Sequence, residues 1–149
     1  MFEDLARTYM REYRIAIGAE PLPFIGMFEG SVNKLHEVVK EIRKILDVPI
    51  DWYNKHPDYN SAFNFLKSRI EDVGVLVMKN GVVINNTHRP LDIREFRAFL
   101  LFDELAPLIF INNKDSAGAK IFSLIHEFTH LLISTDDSRP ILYQSSARY

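Results

Sequence analysis

Leu108-Ile-Phe-Ile-Asn112, followed by Ser116-Ala-Gly-Ala-Lys-Ile-Phe-Ser-Leu-Ile-His-Glu-Phe-Thr-His-Leu-Leu-Ile133, is the stretch that decides the fold of this chain. The first piece is a short apolar run closed by Asn112-Asn113, which reads as a strand. The second reads as a helix that begins near Asp115 or Ser116 and ends near Ser134. Inside it, His126-Glu127-x-x-His130 places two imidazoles four residues apart. On a helix that step turns the side chains by about 40° and raises them about 6 Å, so both nitrogens can reach one metal ion. Glu127 sits to the side of the pair. It is badly placed as a ligand but can reach a water on the metal and act as general base.

The rest of the helix tests that reading. With His126 at zero and about 100° per residue, His130 falls near 40°, while Ile121, Leu124, Ile125, Phe128, Leu131 and Leu132 occupy the opposite arc. The histidines therefore share a face turned away from the main apolar stripe, which a core histidine pair would not do. Ala119 and Ser123 lie on the histidine side and would leave room for a substrate. Phe122 and Ile133 flank it. Only Lys120 and Glu127 bring charge near it. Leu108–Asn112 fits either of two roles: a substrate-pairing edge beside the metal helix, or an ordinary core strand.

Upstream, Phe2, Leu5, Ala6, Tyr9, Met10 and Tyr13 predict a helix stopped by Gly18 and Pro21-Leu22-Pro23. Val32, Leu35, Val38, Val39, Ile42, Ile45 and Leu46 predict a second helix, started by Ser31 and closed by Pro49. A third is expected from about Ser61 to Asp72, after a connector over residues 52–60. The period then shortens. Val73–Met78 and Val82–Ile84, joined by Asn80-Gly81, read as a hairpin. Asp92 with Glu95, and Leu91 with Phe96, fit a capping box and its hydrophobic staple. Arg97–Phe102 fits helix or strand, and Asp103–Pro107 a turn. The architecture expected is α+β: helices first, a small mostly antiparallel sheet, then the metal helix.

Composition narrows the classes. The chain has 149 residues, of which 47% are apolar and 26% charged, enough for one packed domain. A net charge of −2 argues against direct nucleic-acid binding by this segment. Cysteine is absent, which excludes disulfides, thiolate ligands and a thiol nucleophile. The start, Met1-Phe2-Glu3-Asp4, has no secretory signature, and no apolar run is long enough to span a membrane. The expected location is the cytoplasm. His36 and His56 read as surface residues. His88 is the one outlying histidine that could approach a cleft, and Tyr143 a possible hydrogen-bond donor to a reacting group.

Phe96-Arg-Ala-Phe99, Asp103, Ala106-Pro107-Leu-Ile-Phe-Ile-Asn112 and Phe122–Leu132 together resemble the ImmA/IrrE-type metallopeptidases. The resemblance covers roughly Ile70 to Ile133. It implies a zinc-dependent endopeptidase with a gluzincin-like core, Zn2+ on His126 and His130, and Glu127 as the base. It implies a protein substrate, a helix-turn-helix transcriptional repressor whose cleavage induces a mobile element or a stress response. It also favours strand over helix for Arg97–Phe102, although Ala98 stands where the family has glycine. The expected organisation is an N-terminal helix and loop over 1–30 and a metallopeptidase domain over 31–149. The family's third ligand is a Glu on the next helix, and no Glu follows Glu127 here. The expectation is a domain truncated at the C-terminus, with Asp136, Asp137 and the terminal carboxylate as the remaining carboxylates. The competing expectation is a non-catalytic protein-binding module with an incomplete metal site.

Overall fold

The computed structural model describes residues 2–28, 35–80, 82–83, 86–90, 98–133 and 142–144. Three helices come first: α1 (Phe2–Ala16), α2 (Leu35–Leu46) and α3 (Tyr59–Asp72), with a 3-10 turn over Trp52–Lys55. Then come β1 (Leu76–Asn80), β2 (Val82–Val83), β3 (Asn86–Pro90), β4 (Ala98–Leu101), β5 (Leu108–Asn112), α4 (Ala117–Ile133) and β6 (Leu142–Gln144). The class is α+β. Arg97 lies outside the described residues, and the stretch after it is strand, β4.

All three early helices end in one motif, each with a left-handed residue just past the end. For α1, Ala19 N–H donates to Arg14 O at 2.8 Å and Gly18 N–H to Ile15 O at 3.0 Å, with Gly18 at φ +74°. For α2, Val48 N–H donates to Arg43 O at 2.9 Å, and Asp47 takes φ +53° in place of a glycine. For α3, Val75 N–H donates to Ile70 O at 3.3 Å and Gly74 sits at φ +105°. A Cβ on Gly74 would lie 2.9 Å from Leu22 Cδ2, the movable end of a side chain, so it is the positive φ that calls for glycine there. The third helix begins two residues earlier than its apolar pattern suggested. Asp58 is its cap, accepting from Ser61 N–H at 2.7 Å. Ser31 and the capping box at Asp92–Glu95 lie outside the described residues.

Four strands form a mixed sheet in the order β1-β5-β4-β6. β1 runs parallel to β5, with Leu76 opposite Leu108 and Asn80 opposite Asn112. β4 is antiparallel to both β5 and β6. Among the described residues, Leu76–Asn80 does not pair with Val82–Val83 as the hairpin expected across Asn80-Gly81 would require. β2 pairs instead with β3, in a separate two-stranded sheet. The run Leu76-Val77-Met78 is apolar on both sides, which suits a parallel strand beside β5 better than a half-exposed hairpin arm.

The sheet has an apolar face on each side. Alternation puts Ala98, Leu100, Ile109 and Ile111 with Phe63, Leu66 and Ile70 of α3 and Leu124, Phe128, Leu131 and Leu132 of α4. The other face holds Phe99, Leu101, Leu108 and Phe110, and the rings of Phe99 and Phe110 stack at 4.7 Å.

α1 packs against β5 and is tied to the turn after β4. Arg7 Nη1 donates to Asp103 Oδ2 at 2.8 Å, and Arg11 Nη1 to Asp103 Oδ1 at 2.7 Å. The same carboxylate accepts from Leu105 N–H at 2.8 Å and Ala106 N–H at 3.0 Å, which shapes the turn into β5. One turn further along α1, Arg14 donates to Gly74 O at 2.8 Å and also to Leu105 O. Among the described residues, no helix is long and apolar enough to cross a membrane.

Candidate metal site

A short loop fixes the start of α4. Asn112 is fully buried, and its Oδ1 accepts from Lys114 N–H at 3.0 Å. Ser116 then caps the helix, its Oγ accepting from Ala119 N–H at 3.2 Å. The far end of α4 is fixed as well. Gly26 N–H donates to Leu131 O at 2.7 Å and Phe28 N–H to Leu132 O at 2.8 Å. Those carbonyls belong to the last helical turn and have no partner within the helix. The ring of Phe24 packs on Phe128 at 5.4 Å. Ile121, Leu124, Phe128, Leu131 and Leu132 are buried, so rotation of α4 about its axis is set by the core.

That rotation leaves His126 and His130 half-buried together on one flank. Their Nε2 atoms lie 3.1 Å apart, with the rings near perpendicular at 79°. Two nitrogens each about 2.0–2.1 Å from a tetrahedral zinc lie about 3.3 Å apart. The pair therefore fits a shared ion with almost no adjustment. Glu127 is fully buried beside them. Among the described residues, no three His, Cys, Asp or Glu side chains converge on one point. Asp136, Asp137 and the terminal carboxylate lie outside the described residues.

Several sequence expectations change here. β5 is flanked by β1 and β4, so Leu108–Asn112 is a central strand, not a substrate-pairing edge. Its unbroken apolar run is the signature of burial on both faces. Ser123 does not line an open space above the histidines, because it is buried. Lys120, Ser123 and Glu127 lie three and four residues apart and form a buried polar stripe between the histidine face and the core. His56 is half-buried rather than on the surface, its Nδ1 3.0 Å from Ser61 Oγ and its ring 4.8 Å from that of Phe65. His36 is exposed, as expected. His88 and Tyr143 fall in β3 and β6, with their side chains outside the description.

Lys120, read from the sequence only as a charge near the histidine face, is buried. Its Nζ donates to Asn113 Oδ1 at 3.0 Å and lies 5.5 Å from the centre of the Phe63 ring. Lys79 Nζ lies 5.4 Å from the same ring centre. Burial, reinforced by the charge of Lys79 and opposed by Asp115, pulls the Lys120 ammonium below the ordinary lysine value. The unfolded chain then binds more protons than the folded one in the window between the lowered value and about 10.4. Through this group, stability rises with pH across that window. Urea unfolding at neutral and at alkaline pH should show that gain in the wild type, and Lys120→Met should lose it. An identical pH dependence in the variant would remove Lys120 from the account.

A sequence model of the Peptidase_M78 family, described as an IrrE N-terminal-like domain, matches residues 70–147. The match runs from the end of α3 through β6 and contains the whole of α4. No curated protein and no solved structure matches the chain.

Proposed function

The chain belongs to the Peptidase M78 family, and on that ground we propose that it is a zinc-dependent endopeptidase. The observation that carries the proposal is the pair of Nε2 atoms 3.1 Å apart beside a fully buried Glu127. His126 and His130 would hold the metal. Bound zinc would supply Lewis-acid polarisation of the scissile carbonyl and acidify water. Glu127 takes one proton from the attacking water as its oxygen bonds to the carbonyl carbon. It returns that proton to the amide nitrogen as the carbon–nitrogen bond breaks. Burial of Glu127 keeps bulk water from exchanging the proton before it is returned. The substrate we propose is a helix-turn-helix transcriptional repressor in the cytoplasm.

A second reading has a specific observation behind it. With no third ligand among the described residues, the domain would bind a protein partner without cutting it. One experiment separates the two. The chain is incubated with zinc and a helix-turn-helix repressor, with and without a chelator, and products are read by mass spectrometry. Chelator-sensitive cleavage is the expected result, and a slow one, because no Glu follows Glu127 to complete the usual ligand set. A stable complex with intact repressor would overturn the peptidase proposal in favour of the binding module.

A further inference from the structure

Phe122 is out of place by the logic of core packing. It is 52% exposed, although the residues after it on α4 bury Leu124 and Phe128 completely. An aromatic left half in water gains only part of its burial free energy. Its ring instead lies over His126, with centroids 5.8 Å apart and planes inclined at 26°. His130 meets the same imidazole on the next turn, with centroids 4.7 Å apart. Phe122, His126 and His130 are spaced four and four, so they form one row along α4. His126 is held between two rings, and only one of them can ligate a metal.

We propose that Phe122 is a positioning residue that fixes the imidazole of His126 so that its Nε2 points at the Nε2 of His130. The inference rests on reading His126 and His130 as a metal pair. An imidazole stacked on one flat neighbour loses its freedom about the Cβ–Cγ bond, and the ordering is in place before a metal arrives. A ligand ordered in advance binds more tightly, because less motion is lost on binding. Residues behind a ligand commonly change metal affinity by 10–100-fold. A single ring contact is at the weaker end, so roughly three- to tenfold is expected.

The test uses the full chain and three forms: wild type, Phe122→Leu and Phe122→Tyr. Leucine keeps an apolar group but loses the flat face, and tyrosine restores it. Zinc affinity is measured by competition with a chromophoric chelator. The side-chain rotamer of His126 is measured in the metal-free protein from three-bond couplings. Phe122→Leu should bind zinc three- to tenfold more weakly and show rotamer averaging at His126. Phe122→Tyr should match wild type in both. Because Phe122 is half exposed, all three should melt within a few degrees of one another. A single fixed His126 rotamer in Phe122→Leu would overturn the proposal, as would a tyrosine variant no better than leucine. If wild type binds no zinc at all, the metal pair falls, while the rotamer measurement still decides what Phe122 does.

Discussion

Glu127→Gln should lower the rate of repressor cleavage by roughly 10²–10⁴-fold, while zinc content and melting temperature stay close to wild type. The amide has almost the shape of the carboxylate but cannot take up the water's proton. The change removes the proton carrier and leaves the ion's ligands alone. His126→Ala and His130→Ala act at the other half of the site. Each leaves a single imidazole where 3.1 Å separated two, so zinc should be lost on dialysis and cleavage with it. Elemental analysis beside single-turnover cleavage distinguishes the two classes. A glutamine variant that cuts at near the wild-type rate would remove Glu127 from the reaction. Undiminished zinc in either alanine variant would remove the pair.

The second large effect belongs to stability. Asp103→Ala should cost about 3–5 kcal/mol, a substantial share of the roughly 5–15 kcal/mol that holds a typical domain together. The carboxylate is 7% exposed and accepts from Arg7, which is 14% exposed, and from Arg11, which is 42% exposed. It also holds the N–H groups of Leu105 and Ala106. Alanine removes one shared acceptor from two guanidinium groups and two peptide N–H groups. Arg11 contributes the smaller part, because water screens it. Asp103→Asn retains an oxygen for the two peptide groups and should lose less. Urea unfolding gives the comparison. An alanine variant within 1 kcal/mol of wild type would show that α1 is held by other contacts.

The helices and the shared face of His126 and His130 were legible because each leaves a periodic trace in the sequence. The stripe from Ile121 to Leu132 set the rotation of α4, and the histidines followed from it. Strand partners were not legible. Asn80-Gly81 is a strong local hairpin signal, but Leu76–Asn80 is paired with a strand more than twenty residues later. Local turn preference lost to burial of an apolar strand on both its faces. The same gap hid the central place of Leu108–Asn112, since an apolar strand reads alike at an edge or in the middle. Nothing in the spacing of the first helix singles out Arg7, Arg11 and Arg14. Their partners, Asp103 and the carbonyls of Gly74 and Leu105, lie 60 to 96 residues away and leave no trace in local spacing.

That long reach has a consequence in time. Arg7 leaves the ribosome's catalytic centre 96 residues before Asp103 exists. At about 5–20 residues per second, the interval is roughly 5–20 s. Throughout it, α1 has no Asp103 to close on. α1 is thus secured only once the turn after β4 has been made, so this clamp closes late although one side of it is made early.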